Sequence, residues 1–302
     1  MDYNNYTIDK TRLIGRGVTS EVYLGENNIT NEKVAVKIIS KKTKNIKFYV
    51  ENEIQNLKIL QSETNIIRLI EHYETESDYI LIFEYIELTL KQYIQKGIKD
   101  RIKINILLQL ISITEILRKN NIVHHDIKPD NILVMVNGGI NKVNGGINEV
   151  NKVNGGINEG VQIKLCDFGM SILTGKSYHT KLCGSPIYMH PSKLQYNYNF
   201  NSDEWSVNVI FYEIVYGKNP YKGTPTKTEL VQNIQKNIIE FPDFNIYTPL
   251  LRKLFYASGN VFISAIKQDI QKLERKNELT EQTEQIEQIE QIEEIEKEYV
   301  FV

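Results

Sequence analysis

Cysteine is scarce in this chain, which has only Cys166 and Cys183 among its 302 residues. Two cysteines do not indicate a disulfide framework or a zinc site. We expect both to be plain free thiols, which fits a cytoplasmic, reducing compartment.

The chain also lacks an excess of positive charge, a secretory leader and a long apolar run. Its formal net charge is -2, so nucleic acid is not expected as its main partner. The first six residues form neither a basic nor an apolar segment, so we expect no signal peptide. The longest apolar runs, 79–86 and 207–216, are shorter than the ~20 residues that a membrane-spanning helix needs.

The remaining composition is that of a folded protein. Hydrophobic residues make up 41% and charged residues 25%, and 302 residues suffice for two lobes around a sizeable core. Abundant Ile, Asn, Lys and Tyr have AT-rich codons, which indicates an AT-biased genome such as that of a protist or a large DNA virus.

The most informative stretch is His124–Asn131, which precedes an apolar strand. It follows residues 102–118, where apolar side chains repeat at helical spacing and predict a core helix. Asp126 could accept a proton, Lys128 could hold a phosphate, and Asn131 could ligate a hard metal through its carbonyl oxygen. The alternative is an ordinary turn, because Asp, Pro and Asn are common turn residues.

Residues 6–39 alternate and are rich in β-branched side chains, which predicts three strands. Gly15 and Gly17 lie between the first two strands. Such glycines let backbone N–H groups approach phosphate oxygens, although most glycine pairs simply form hairpin turns. Residues 65–69 are expected to form the next strand, and 79–86 a buried strand that runs into a linker.

Lys37 lies in an apolar strand, and a helix is predicted from about Ile46 to Leu60. The leucines of that helix share a side with Glu53, so we expect Glu53 to pair with the lysine, with Glu51 as the alternative. Taken alone, the lysine would face solvent and either glutamate would be helix surface.

A second acidic motif, Asp167-Phe168-Gly169, ends the alternating strand 161–168. Before it, Asn-Gly-Gly-Ile-Asn recurs at 137, 144 and 154, in a segment too short and glycine-rich to bury a core. We interpret 137–160 as a flexible insertion at a β-hairpin tip. Closing a longer loop costs only ~0.6 kcal/mol per doubling of its length, so the flanking strands can still pair.

In this order, the glycine loop, Val34-Ala35-Val36-Lys37, His-His-Asp-Ile-Lys-Pro-Asp-Asn and Asp-Phe-Gly resemble the motifs of eukaryotic-type serine/threonine protein kinases. The stretch 182–192 is most similar to the activation segment of autophagy-initiating kinases. The resemblance implies an α+β, bilobal fold, with a β-rich N-lobe at about 1–86 and a helical C-lobe at about 87–275. An acidic Glu/Gln/Ile tail, 276–302, would follow as a candidate partner site.

The resemblance also implies transfer of the ATP γ-phosphoryl group to a protein Ser or Thr hydroxyl. Asp126 would accept the hydroxyl proton, Lys128 would neutralise the γ-phosphate, and Lys37, paired with Glu53, would hold the α- and β-phosphates. The implied Mg²⁺ ligands are Asn131 and Asp167, and the implied ATP-binding positions are Ile14, Gly15, Arg16, Gly17, Val22, Ala35, Lys37, Phe83, Glu84, Ile86 and Leu133.

Two further residues are expected to support the catalytic loop. Ser185 would hydrogen-bond Asp126 and Lys128. Asp203 would accept hydrogen bonds from the loop backbone, its alternative role being a helix N-cap. Met170 after Asp-Phe-Gly favours serine over threonine as the acceptor.

Several positions depart from the family pattern and favour a rival interpretation, a pseudokinase that serves as a scaffold. His125 replaces an arginine that would hold an activation-loop phosphate, so we expect only weak, pH-dependent pairing with a phosphate on Thr180, the candidate acceptor beside Lys181. Ser192 and Phe262 replace a glutamate and its arginine together, which strands no buried charge. The other departures are His190 and Asn208. A small-molecule kinase is a second rival, which the peptide-binding stretch 183–191 disfavours.

Overall fold

The computed structural model describes residues 2–137, 160–174, 184–191, 201–221, 226–236, 239–241, 245–256, 266, 268–273 and 275. The N-terminal part is a six-stranded antiparallel sheet with the strand order β1-β2-β3-β4-β6-β5. Its strands are β1 (Asp2–Tyr3), β2 (Tyr6–Arg16), β3 (Ser20–Asn27), β4 (Lys33–Ser40), β5 (Leu69–Glu74) and β6 (Asp78–Glu84). The three strands predicted in 6–39 are therefore confirmed.

One helix, α1 (Ile46–Ile59), packs against this sheet. Strand β6 is buried on both faces, so its alternate side chains serve two cores. Ile80 and Ile82 join a small cluster on one face, whereas Leu81 and Phe83 join the main core on the other. This arrangement fixes α1 over the face that carries Lys37.

The strand predicted at 65–69 is wrong, because only Leu69 belongs to a strand of the sheet. Residues 65–67 hydrogen-bond instead to Leu165, whose N–H donates to the Asn65 carbonyl (2.9 Å) and whose carbonyl accepts from the Ile67 N–H (2.9 Å). The backbone groups that would extend the sheet are thus used to attach the two lobes. The buried strand predicted to run into a linker over 79–86 is confirmed as β6, which ends at Glu84.

The C-terminal part is mainly helical. Its helices are α2 (Leu90–Gln95), α3 (Asp100–Lys119), α4 (Asn201–Tyr216), α5 (Lys227–Lys236) and α6 (Thr248–Tyr256). Its short strands are β7 (Leu88–Thr89), β8 (Ile122–Val123), β9 (Ile132–Asn137), β10 (Gly160–Leu165) and β11 (Ile172–Leu173). Helix α3 buries an apolar stripe against α4 and β10, and this stripe confirms the helix predicted from its spacing. The predicted bilobal α+β fold is confirmed.

Strands β9 and β10 form an antiparallel hairpin that pairs continuously from Ile132 opposite Leu165 to Asn137 opposite Gly160. The flanks of the predicted insertion therefore pair as expected. The repeats themselves lie outside the described residues, as do Thr180, Lys181, Cys183, Ser192, Phe262 and the acidic tail. No helix in the described part of the chain is long and apolar enough to cross a membrane.

Candidate active site

Lys37, in the middle of β4, binds two carboxylates from different parts of the chain. Its ammonium donates to Oε1 and Oε2 of Glu53 (2.8 and 2.9 Å) and to Oδ1 of Asp167 (2.8 Å). The Glu53 side chain is only 3% exposed. Glu51, the alternative partner, is exposed and lies 3.7 Å from Lys47. The structure therefore pairs Lys37 with Glu53.

The charges in this cluster perturb one another. Burial alone would lower the pKa of Lys37, but Asp167 and Glu53 outweigh burial and raise it. Burial raises the pKa of Glu53 despite the neighbouring ammonium. The Lys37 charge lowers the pKa of Asp167 to about 2, although burial opposes this shift. At neutral pH the cluster contains a cation and an ionised, half-exposed Asp167 carboxylate.

The Asp-Phe-Gly turn is held beneath α1. Asp167 has a left-handed backbone, with φ of 64°. Phe168 is fully buried and packs edge-on against the His124 ring, with the ring centroids 4.8 Å apart. Its backbone N–H also interacts with Glu53 and favours the ionised form of that carboxyl group. The residue that follows the acid thus anchors the turn while Asp167 itself remains accessible.

Asp126 is the centre of a second cluster. Its Oδ1 accepts hydrogen bonds from the backbone N–H and the hydroxyl of Ser185 (3.0 and 3.1 Å). Its Oδ2 accepts from Lys128 Nζ (2.6 Å) and from Asn131 Nδ2 (3.1 Å). Lys128 also donates to Ser185 Oγ (3.2 Å), so the predicted contacts of Ser185 with both residues are present.

The loop that carries Asp126 is fixed from behind by Asp203. The Asp203 carboxylate accepts the backbone N–H groups of His124 (2.7 Å) and His125 (3.0 Å). Asp203 is 2% exposed and lies inside α4, so its carboxylate holds the loop and the alternative helix N-cap role is wrong. The left-handed φ of His125, 71°, is supported by this contact.

Cys166 connects the two clusters. Its N–H donates to the Asn131 carbonyl (2.9 Å), and its carbonyl lies 3.1 Å from His124 Nε2. Because Nδ1 of His124 accepts from the Asp126 N–H (3.3 Å), the ring is neutral with its proton on Nε2. Burial lowers the pKa of His124, which favours the same neutral form.

The predicted nucleotide positions lie on β2, β3, β4, β6 and β9, in the β2–β3 turn and in the linker after β6. Gly15 pairs with Val22 across the β2–β3 hairpin, and the Gly17 N–H donates to the Ser20 carbonyl (2.8 Å). A Cβ at Gly17 would lie 2.8 Å from Ser20 Oγ, so a larger residue there would require the Ser20 hydroxyl to move. Arg16 does not project inward but pairs with Glu21 (2.9 Å) at the surface. Ile14 is 42% exposed.

The remaining predicted nucleotide positions lie on β4, β6 and β9 and in the linker after β6. Ala35 lies opposite Phe83 on the neighbouring strand, and Phe83 is buried. Ile86 and Leu133 pack against the main core. The Glu84 side chain accepts hydrogen bonds from Lys164 Nζ (2.6 Å) and from the Arg68 N–H (2.7 Å).

Two contacts of this region could not be expected from the sequence. One is the pair between Glu84 and Lys164, which joins the end of β6 to β10. The other joins Asn52 and Asn56 of α1 to Ser171, just after Asp-Phe-Gly. No sequence signal identifies either one, because the partners lie 80 to 119 residues apart in the chain.

Of the departures from the family pattern, three lie within the described residues. His125 is 4% exposed. His190 packs edge-on against Trp205, with centroids 5.1 Å apart, and burial lowers its pKa. Asn208 donates to the Leu254 carbonyl (2.7 Å) in the C-terminal core. None of the three interrupts the two clusters around Lys37 and Asp126.

Comparison with known proteins is consistent with this geometry. Residues 8–276 match the family model described as the protein kinase domain. The serine/threonine-protein kinase ATG1 of Beauveria bassiana is 31% identical over 80% of this chain and 30% of its own length. The protein of that name from Debaryomyces hansenii is 31% identical over 76% of this chain and 29% of its own length. The one from Neosartorya fischeri is 32% identical over 82% of this chain and 30% of its own length.

This chain spans about 30% of the length of these curated relatives. The family match covers far more than half of the chain, and the kinase resemblance predicted from the motifs is confirmed. Members of this family use ATP and a divalent metal in general. The chain belongs to the protein kinase domain family.

Proposed function

We propose that this chain is a serine/threonine protein kinase that transfers the γ-phosphoryl group of ATP to a protein hydroxyl. The observation that carries the proposal is the placement of Lys37, joined to Glu53 and Asp167, beside the loop of Asp126 and Lys128. Phosphoryl transfer requires little covalent chemistry from the protein, so positioned charges of this kind can supply most of the catalysis.

The residues present fit a divalent metal, which we propose to be Mg²⁺. Asn131 uses its amide nitrogen on the Asp126 carbonyl (2.9 Å) and Oδ2, which leaves its carbonyl oxygen as the metal-ligating atom. Asp167 supplies an ionised, 47% exposed carboxylate. Within the described residues, no group of three or more acidic, His or Cys side chains is arranged so that it could hold a metal ion by itself. Two protein ligands suit Mg²⁺ bound with phosphates and water.

Each remaining residue has a role that its contacts support. Mg²⁺, when bound, would neutralise charge on the phosphates. Asp126 would orient the acceptor hydroxyl and accept its proton, while Lys128 would balance charge on the transferred group. Lys37 would hold the α- and β-phosphates, with Glu53 fixing its direction. The proposed nucleotide contacts are Ile14, Gly15, Arg16, Gly17, Val22, Ala35, Phe83, Glu84, Ile86 and Leu133.

Arg16 is the weakest of these nucleotide contacts, because its guanidinium pairs with Glu21 at the surface. We propose backbone contact alone at this position. The Glu84 side chain is also engaged elsewhere, so we propose that only its carbonyl, with the Ile86 N–H, meets the adenine edge.

We also propose finer properties that rest on the sequence. The kinase domain would end near residue 275, and the acidic tail would bind a partner. Met170 after the Asp-Phe-Gly turn supports serine as the preferred acceptor. A cytoplasmic setting is supported by the free thiol of Cys166 and by the use of ATP.

Radiolabelled ATP with Mg²⁺ and a mixture of generic protein substrates tests the main proposal. We expect label on serine and threonine, and a loss of roughly 10²-fold or more in Asp126→Asn. Asp130→Asn is the matched control, because Asp130 lies in the same loop but contacts Lys91 at the surface. Unchanged transfer in Asp126→Asn would refute the mechanism. No transfer together with no ATP binding by the wild type would indicate a scaffold, and label on metabolites alone a small-molecule kinase.

A further inference from the structure

Two buried asparagines flank Glu53 on α1, at 6% exposure for Asn52 and 0% for Asn56. Both donate to Ser171, which is itself fully buried. Asn56 Nδ2 donates to Ser171 Oγ (2.7 Å), and Asn52 Nδ2 donates to the Ser171 carbonyl. We call Asn52, Asn56 and Ser171 the α1–Ser171 latch.

The latch reaches the Asp-Phe-Gly turn directly. Ser171 Oγ donates to the Phe168 carbonyl (2.6 Å), and the Ser171 N–H donates to the same oxygen (3.1 Å). The Phe168 N–H interacts with Glu53, which shares the helix face of the two asparagines. Helix α1 therefore holds both backbone groups of Phe168, one through Glu53 and the other through Ser171.

The latch places polar groups where apolar ones would pack. Asn56 lies beside Leu57 on the buried face of α1, and its Oδ1 has no hydrogen-bond partner among the described residues. A buried acceptor without a partner loses its hydration and gains nothing in exchange. Leucine at this position would avoid that loss. Fold stability alone thus does not account for an asparagine here.

We propose that Asn52, Asn56 and Ser171 are positioning residues that hold the Asp-Phe-Gly turn so that Asp167 presents its carboxylate to metal-bound ATP. The left-handed backbone of Asp167 supports this, because such a conformation persists only where its surroundings hold it. The inference rests on the proposed binding of ATP with Mg²⁺.

The affinity of the full chain for ATP, measured by calorimetry with and without MgCl₂, tests the proposal. We expect Asn56→Leu and Ser171→Ala each to reduce the affinity gained on adding Mg²⁺ by about tenfold, while the Kd for metal-free ATP changes less than about twofold. We expect Asn56→Leu to keep or raise the Tm. The double variant should lose no more than the worse single variant, because both substitutions break one connection.

Asn208→Leu is the matched control. Asn208 is also buried in a helix, its Nδ2 bonds one carbonyl, and its Oδ1 has no partner among the described residues, but it lies in the C-terminal core. Asn208→Leu should leave the gain in ATP affinity on adding Mg²⁺ unchanged.

An undiminished Mg²⁺ gain in Asn56→Leu and Ser171→Ala would overturn the latch. Equal losses with and without metal would also overturn it, since they would indicate a purely structural role. A wild type that binds no ATP would instead overturn the proposed function and this inference with it.

Discussion

Replacing Lys37 with methionine tests the charge cluster through its pH dependence. The substitution removes a cation 2.8 Å from Glu53 and leaves that carboxyl group only 3% exposed. Asp167, which lies close enough to raise the pKa of Glu53, remains as a second negative charge. A buried carboxylate without a cation protonates instead of staying ionised. We therefore expect Glu53 to be neutral in the folded Lys37→Met variant.

The free-energy cost of that protonation determines how much stability the variant loses at each pH. The unfolded chain holds Glu53 with an ordinary pKa near 4.5, so neutralising it at pH 7 costs at most ~3.4 kcal/mol, at about 1.4 kcal/mol per pH unit. The same cost is ~2 kcal/mol at pH 6 and under ~1 kcal/mol at pH 5. A carboxyl pKa raised by folding makes the folded state bind more protons. The free energy of unfolding of Lys37→Met should thus fall as the pH rises from 5 towards 8.

Urea unfolding, followed by fluorescence of the single tryptophan Trp205, measures this slope. The reference is Lys37→Met/Glu53→Gln, in which position 53 no longer carries a carboxyl group. The double variant should be more stable than Lys37→Met by ~2–3 kcal/mol at pH 7, and the two should converge near pH 5. Glu53→Gln alone leaves Lys37 bound to Asp167 and should show no such slope. A constant difference between Lys37→Met and the double variant from pH 5 to 8 would refute the reasoning.

Two further predictions concern the supports of the site. The two carboxylate oxygens of Asp203 each accept a buried backbone N–H, and Asp203→Asn turns one of these acceptors into an NH₂ donor. We expect the free energy of unfolding in urea to fall by about 2–3 kcal/mol and kcat to fall at least tenfold. Intact kcat would show that the loop keeps its conformation without this carboxylate. Lys164→Met leaves the Glu84 carboxylate, only 20% exposed, without its cation, so we expect a loss of about 1–2 kcal/mol. Adding Glu84→Gln should recover most of this loss, and failure to recover it would show that the loss does not come from the unpaired Glu84 charge.

The sequence predicted those parts of the site whose residues are close together in the chain. The loop of Asp126, Lys128 and Asn131 was predicted because these groups are close in the chain and must face one reaction centre. Helix α3 was predicted because its buried face repeats at the helical period. The prediction of a strand at 65–69 was wrong because the residue types there fit more than one environment. Apolar, β-branched residues suit both a sheet and an interlobe contact, and only the position of Leu165 decides between them.

Residues that act at long range could not be predicted in this way. Asn52 and Asn56 look like surface positions of an amphipathic helix, and Ser171 looks like an ordinary turn residue. Their roles become visible only when the fold brings together positions more than 100 residues apart. Composition cannot distinguish a solvated asparagine from a buried one.

The same buried face of α1 carries both Glu53 and Asn56, and both reduce stability relative to apolar residues of similar size. Burial raises the pKa of Glu53, so the folded state tolerates its charge only because Lys37 is present. Asn56 leaves a buried oxygen without a partner among the described residues. A helix selected for packing alone would have leucine at both positions. The polar groups are instead directed at β4 and at the Asp-Phe-Gly turn, the two elements that must hold fixed positions relative to each other for phosphate and metal to be bound together.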